Sequence, residues 1–363
     1  MMLDVDLHAE KSISWFHRHW PGVLTTLTVP YGLAIQARGK LYEKGWLKES
    51  RLPRPVLSVG NLTVGGTGKT PVVIWLANWL RANGKRVGIL SRGYRRKNTA
   101  DCVLVSNGQE CLANPVDVGD EPFLMAQRCP EAVIAVGNDR YELGLWVLDQ
   151  IDVDCFVLDD GFQHVSLFRD CNLLLVDALD QHGLTALLPK GRLREPLSAA
   201  QRASAILITR TNQTSNALNV IQILQLAMGK SFSPIHVDFH SLSVVNVRTR
   251  HVKAGDWLVG KRAVIFSGIG NASSFRKTVE QMGVTIVKEF EFVDHFSYSV
   301  TSIESIRTHA QRHNSDVVLT TEKDGVKISP LLQEGEDVWT ICLETRIEKG
   351  EKELLELVRR VVA

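Results

Sequence analysis

The sequence predicts an α/β protein: a mostly parallel, doubly wound sheet followed by a second, smaller α/β domain. Three observations carry this. Short apolar runs at 56–59, 87–90, 133–136, 155–158, 173–176 and 205–209 contain no charge, the pattern of strands buried on both faces. Helix-like stretches at 70–83, 121–128, 141–150 and 198–202 alternate with them, as a parallel sheet requires. A second series then begins, with strand-like runs at 263–267, 285–287, 317–320 and 338–342 and helical patterns at 273–282, 300–313 and 351–362. Between the two series, 234–253 alternates valines with polar residues and reads as an extended ribbon, which places the domain change near 215–250. The expected division is an N-terminal helical segment (1–50), a core domain (51–230), a ribbon linker (231–255) and a smaller C-terminal domain (256–363). Two such lobes leave a cleft between them, where ligands tend to bind.

Composition narrows the class. A chain of 363 residues with 44% hydrophobic and 23% charged content can bury a sizeable core. A net charge of +2 does not call for nucleic acid. Two local basic clusters, Arg92, Arg95, Arg96 and Lys97, then Lys190, Arg192 and Arg194, are either solvated faces or anion sites. The six cysteines form no C-x-x-C pair and several lie in apolar runs; they read as reduced and mostly buried, which argues against a zinc site. Asp4, Asp6, Glu10 and Lys11 do not resemble a secretory leader. Residues 20–37 are uncharged but hold Pro21, Gly22, Pro30, Gly32 and several threonines, a poor span. Trp15, Phe16, His17, Arg18, His19 and Trp20, then Tyr31, Arg38, Lys40, Tyr42, Lys44 and Trp46, surround that stretch. Mixed aromatic and basic residues suit either a membrane-surface element or a helix packed on the protein's own core.

The strongest motif is Thr63, Val64, Gly65, Gly66, Thr67, Gly68, Lys69 and Thr70. It follows the apolar run from Pro55 and opens the helical pattern from Pro71, which is the context of a phosphate-binding loop. Backbone N–H groups and the helix N-terminus would cradle phosphates. Lys69 would reach the β- and γ-phosphates, and the Thr70 hydroxyl would hold Mg²⁺. The general pattern has glycine where this chain has Thr63.

A second signal is the 156–158 run ending in Asp159 and Asp160 before Gly161. Two carboxylates leaving a strand C-terminus suit a Mg²⁺ site beside a phosphate loop; the alternative is a plain Asp-Gly turn. Gln163 and His164 follow and carry no assignment from chemistry alone. Asp120 and Glu121 sit at a loop-to-helix junction, where Asp120 is a helix N-cap or a base for a substrate hydroxyl, and Glu121 a second metal contact. Asp294 beside His295 could face the cleft. The Gly268-Ile269-Gly270 turn lacks the third glycine of a dinucleotide fingerprint. Thr321-Glu322-Lys323-Asp324 ends a strand, and its adjacent Lys323 and Asp324 do not have the spacing of a guanine-reading motif.

Taken together the motifs resemble the tetraacyldisaccharide 4′-kinase (lipid A 4′-kinase) family. The matching segments are Gly60 to Pro71, Ser91 to Tyr94, Gly119 to Pro122, Asp159 to His164, Lys190 to Pro196, Asp294-His295 and Thr321 to Asp324, in family order across most of the chain. Thr63 agrees with this family's own form of the loop. The resemblance implies a P-loop NTPase-like core and transfer of the ATP γ-phosphate to the 4′-hydroxyl of a tetra-acylated glucosamine disaccharide 1-phosphate, giving lipid IVA. It implies Asp120 as base with His295 paired to it, Asp159, Asp160 and Thr70 at Mg²⁺ with Glu121, Lys69 and Arg192 at the phosphates, and Arg92 and Tyr94 near substrate. It also implies an N-terminal helix that associates peripherally with the cytoplasmic face of a bacterial inner membrane. No nucleic acid and no obligate protein partner are expected. A soluble small-molecule kinase with the same loop would instead work without lipid, and a GTPase-type switch would need the guanine motif that the spacing denies.

Overall fold

The computed structural model describes residues 21–363; the aromatic and basic residues at 15–20 lie outside the described residues. Its strands form a thirteen-stranded sheet, as numbered here in chain order. The first half runs β8 (Ile235–Asn246), β7 (Ala205–Thr209), β6 (Cys171–Asp177), β1 (Val56–Asn61), β5 (Cys155–Asp159), β2 (Val87–Ser91), β4 (Val133–Gly137), β3 (Cys102–Asn107). All these neighbours pair in parallel except β3, which lies antiparallel on β4 at the edge. The sequence pattern did not reveal β3, because its run is bracketed by polar residues and is only partly buried.

Alternate residues of the parallel strands feed opposite cores, which is why these strands read as continuous apolar runs. Leu57, Val59, Cys155 and Val157 face helices α2 (Lys69–Ala82), α3 (Asp120–Arg128) and α9 (Glu351–Val362). Val56, Phe156 and Leu158 face α4 (Arg140–Leu148), and Leu174, Ile206 and Ile208 face α5 (Ala217–Met228). Helix α5 escaped the sequence reading. It has no charge at all, and its outer face mixes Asn219, Gln222 and Gln225 with exposed Leu218 and Leu226, so it lacks the charged stripe that normally marks a surface helix.

The second half of the sheet is β13 (Val338–Lys349), β12 (Val317–Thr321), β10 (Arg262–Ser267) and β11 (Thr285–Glu291), covered by α6 (Ala272–Gln281) and α7 (Val300–Arg312). The 234–253 segment is more than a ribbon on its own. Strand β8 pairs with β7 at one end and, over almost its whole length, antiparallel with β13, while a short β9 (Val252–Ala254) folds back on it. The chain crosses between the halves a second time along β13, and α9 then returns Leu354, Val358 and Val362 to the first core. Their i, i+4, i+8 spacing puts all three on one face. Thr321 ends β12 as expected, but Glu322 to Asp324 open a helix, α8 (Glu322–Ile328), with Thr321 as its cap.

The N-terminal helix α1 (Pro21–Glu43) lies on the loop at 187–194. Tyr31 Oη donates to the Arg194 carbonyl at 2.9 Å and the Lys190 N–H donates to Thr28 at 3.2 Å. Its Leu27, Val29 and Leu33 remain exposed. Among the described residues no helix is long and apolar enough to cross a membrane.

Candidate active site

Strand β1 ends at Asn61, and the chain then turns through 63–70 into α2. The turn is held from several sides. Thr63 bridges to Leu193, and the Val64 N–H donates to the Arg192 carbonyl at 2.8 Å. Asn61 Nδ2 donates to Thr67 Oγ1 at 2.9 Å, Thr209 Oγ1 to the Thr67 carbonyl at 3.0 Å, and Arg210 Nη2 to the Gly66 carbonyl at 3.0 Å. Gly65 and Gly68 have φ of 116° and 88°, and a Cβ on Gly68 would lie 2.2 Å from the Phe239 ring. Only glycine meets both demands. Arg210 and Phe239 lie far from the motif in sequence and are recognised only from the folded structure.

Lys69 Nζ lies 3.4 Å from Asn61 Oδ1 and 3.5 Å from Asp160 Oδ1. Arg192 donates through Nε and Nη2 to the Val64 carbonyl, at 3.0 and 2.7 Å, and through Nη1 to Asp180. Its guanidinium therefore sits against the phosphate loop. Thr70 lines the same cavity.

The carboxylates at the end of β5 have different surroundings. Asp159 is buried, and its Oδ2 accepts from Ser91 Oγ at 2.8 Å while Oδ1 has no hydrogen-bond partner. Burial, with Glu121 and Asp160 nearby, pushes its pKa up. Asp160 takes a left-handed φ of 52° that turns it toward Arg194, whose Nη1 donates to Oδ2 at 2.7 Å. Burial opposes its charge, but Lys69 and Arg194 outweigh this and hold its pKa below the usual value. An orphaned buried oxygen among three negative groups, with the Thr70 hydroxyl at hand, is a hard oxygen donor set that suits Mg²⁺. Among the described residues no group of three or more His, Cys, Asp and Glu side chains converges on one point. Such a site would hold Mg²⁺ by one or two carboxylates, with phosphate oxygens and water completing the shell.

Asp120 is the first residue of α3, not its cap. Gly119, at φ 95°, takes the cap position and offers no side chain. The buried Asp120 carboxylate accepts the Glu121 N–H on Oδ1 at 3.1 Å and turns Oδ2 to the second lobe. Its Oδ2 is 3.2 Å from His295 Nδ1 and 3.8 Å from Lys327 Nζ. Burial raises its pKa, but the His295 hydrogen bond and the charges of Lys323 and Lys327 win and bring it down to about 2. Asp120 is thus an ionised, sheltered carboxylate, as a proton acceptor must be. His295 sits in a turn at φ 59°, held by its N–H to the Gly268 carbonyl at 3.1 Å and by Arg95 Nη1 to its own carbonyl at 2.9 Å. Left-handed backbone at a non-glycine residue persists only where surrounding contacts impose it. The Tyr94 ring lies 5.1 Å from the imidazole.

Glu121 is turned toward Lys323, whose Nζ donates to Oε1 at 2.8 Å. Burial would discharge Lys323, yet Glu121, Asp120 and Asp294 hold its pKa above the usual range. The basic clusters divide: Arg92 and Arg95 line the cavity, whereas Arg96 donates to the Val136 carbonyl in the body of the lobe. Arg140, also in the cavity, is buried with an unpartnered Nε, and burial and Arg92 lower its pKa. It escaped the sequence reading because it lies one residue before the apolar pattern of α4. Gln163 donates to the Asn61 carbonyl at 2.8 Å, and burial brings the pKa of His164 down to about 4.

One cavity of about 1010 Å³ joins these groups: the phosphate loop, Asp159 and Asp160, Glu121 and His295, then Tyr31, Ile35 and Arg38 of α1. The arrangement can bind a nucleotide phosphate chain at one end and hold a cation beside it; Asp120 does not line the cavity and meets it through His295, which does.

A family model described as Tetraacyldisaccharide-1-P 4′-kinase matches residues 20–363. Relatives named tetraacyldisaccharide 4′-kinase include that of Pelobacter propionicus, 37% identical over 86% of this chain and 85% of that one. That of Aquifex aeolicus is 37% identical over 91% of this chain and 96% of that one. A solved structure, LpxK from Aquifex aeolicus in complex with ATP, superposes with a TM-score of 0.74 at 34% identity, covering 94% of this chain and 99% of that chain.

Proposed function

The chain belongs to the tetraacyldisaccharide-1-P 4′-kinase family and is an ATP-dependent kinase of lipid A synthesis, and on that premise we propose how its own residues perform the transfer. The acceptor is the 4′-hydroxyl of a tetra-acylated glucosamine disaccharide 1-phosphate, and the product is lipid IVA. Residues 63–70 bind the phosphate chain by backbone N–H groups, and Lys69 neutralises charge at the β- and γ-phosphates. Arg192 follows the γ-phosphoryl group as it moves. Asp120 accepts the hydroxyl proton while the sugar oxygen bonds to the γ-phosphorus and the bond from phosphorus to the β–γ bridging oxygen breaks, releasing ADP. His295 supports the Asp120 carboxylate. Arg92 and Tyr94 lie along the acceptor's approach.

Thr70, Asp159 and Asp160, with Glu121 beside them, would hold Mg²⁺, which when bound would supply positive charge to offset that developing on the phosphates. The kinase core is taken as residues 51–230, the ribbon as 231–255 and the smaller lobe as 256–363, with closure of the lobes excluding water. Helix α1, in the segment 1–50, rests on the cytoplasmic face of the inner membrane through its exposed Leu27, Val29 and Leu33. A two-tailed amphiphile leaves a bilayer at a cost of about 0.8 kcal/mol per exposed CH₂, so the enzyme must go to it.

The observation that carries this reading is the continuity of the cavity, which runs from Lys69 to Tyr31, Ile35 and Arg38 of a helix that leaves Leu27, Val29 and Leu33 exposed. The test is transfer of label from γ-labelled ATP to the acylated disaccharide 1-phosphate in mixed micelles, against the same sugar without acyl chains. Transfer to the lipid alone is expected; equal transfer to both would point to a soluble-sugar kinase.

A further inference from the structure

The Thr321-Glu322-Lys323-Asp324 segment has no part in the chemistry above, yet all four side chains are engaged at the cleft. Thr321 Oγ1 accepts the Asp324 N–H at 3.1 Å and so starts α8. Glu322 crosses the cleft to Arg128 of α3, and its Oε2 accepts the Leu343 N–H at 3.2 Å, where the β13 register shifts. Asp324, fully buried, accepts the Gly268 N–H at 2.9 Å and pairs with Lys327 at 2.8 Å. Gly268 in turn holds the His295 backbone. Helix α8 therefore supports the turn that carries His295.

Lys323 acts on the ring itself. Its Nζ donates to Glu121 Oε1 at 2.8 Å and lies 3.3 Å from His295 Nε2. An ammonium has three protons and no lone pair, so it can only donate. Nε2 must then be the acceptor, and the ring proton must sit on Nδ1, 3.2 Å from Asp120 Oδ2. The competing arrangement would put the proton on Nε2, facing Asp294. Asp294 Oδ1 is 4.0 Å from Nε2, farther than Lys323.

Building on the kinase reading, we propose that Lys323 is a positioning residue for phosphoryl transfer: anchored by Glu121, it fixes His295 as the Nδ1–H tautomer that donates to Asp120. The consequence is a division of labour. His295 Nδ1 is already protonated and cannot take the substrate proton, whereas Asp120 Oδ1, which accepts the Glu121 N–H at 3.1 Å, is free of the histidine. The same lysine ties Glu121 of the first lobe to the second, so the tautomer is set only when the lobes are together.

The test uses full-length enzyme, ¹⁵N-labelled at histidine, in detergent micelles, with the His295 signals assigned by their loss in His295→Asn. Long-range ¹H–¹⁵N correlation spectra distinguish Nδ1–H from Nε2–H. Wild type and Lys323→Arg, which keeps a donor, should show Nδ1–H. Lys323→Met should shift the ring toward Nε2–H and lower kcat by about 10- to 100-fold, less than the ~10²–10⁴ attributed to a full general base, with the KM for ATP within about twofold. Nε2–H in wild type, or Nδ1–H and unchanged kcat in Lys323→Met, would overturn the proposal; a loss of kcat with the tautomer retained would overturn it too. Should Lys323→Met fail to fold, the wild-type and Lys323→Arg spectra decide. Wild-type transfer measured in the same sample separates this outcome from a failure of the kinase reading.

Discussion

The two walls of the cleft are built in opposite ways. The phosphate-loop wall is local: eight consecutive residues, 63–70, make a turn whose shape follows from glycines at two left-handed positions. The opposing wall is assembled from distant pieces. His295, Lys323 and Lys327 stand on two different elements of the second lobe, and each meets Asp120 or Glu121 across more than 170 positions of sequence. The lesson is that the phosphate loop is encoded in a segment, whereas placement of Asp120, the proposed proton acceptor, is encoded in the packing of α3 against α8. The first should survive changes in lobe closure; the second should not.

Substitutions at the local wall should be the most damaging. Lys69→Ala removes the ammonium proposed to meet the phosphates and should lower kcat/KM by about 10³-fold or more, with an unchanged circular dichroism spectrum. Near-normal transfer would break the distinction at its stronger end. Next comes Asp120→Asn, which keeps the shape but not the charge. It should cut kcat by about 10²–10⁴-fold while the KM for ATP stays within about threefold; a large rise in that KM would mean that the two walls do not divide the work.

Smaller effects sharpen the picture. Arg128→Ala cuts the tie to Glu322 at the far end of α3 and should cost roughly 1–3 kcal/mol of stability, read as a lower Tm. Its turnover should fall only a few-fold, because Arg128 does not line the cavity. A loss as large as that of Asp120→Asn would make Arg128 part of the site. Tyr31→Phe deletes one hydrogen bond from α1 to the Arg194 carbonyl. A change worth about 1 kcal/mol is expected, seen as an approximately fivefold rise in the KM for the lipid and none in that for ATP.

Legibility in the sequence follows the same divide. The parallel core was readable because strands buried on both faces are uninterrupted apolar runs, and the 63–70 loop because its residues are consecutive. Helix α5 was not, since it has no charged stripe, and β3 was not, since an edge strand is half polar. Asp120 looked like a cap because an acidic residue at a helix start usually is one; the glycine before it takes that place. The pairing of Asp120 with His295 had no local signal and rested on family resemblance. Lys323 and Arg194 lay in segments that the sequence marked and Arg140 did not, but the partners of all three had no signal: nothing in a single sequence says which lysines and arginines will be buried beside carboxylates.

The most direct measurement is a double-mutant cycle on kcat for Asp120→Ala and His295→Ala, with ATP affinity followed in parallel. If His295 acts only through the Asp120 carboxylate, the double variant should be no slower than Asp120→Ala alone, and all three variants should bind ATP as wild type does. Multiplying losses, or weakened ATP binding in His295→Ala, would contradict it.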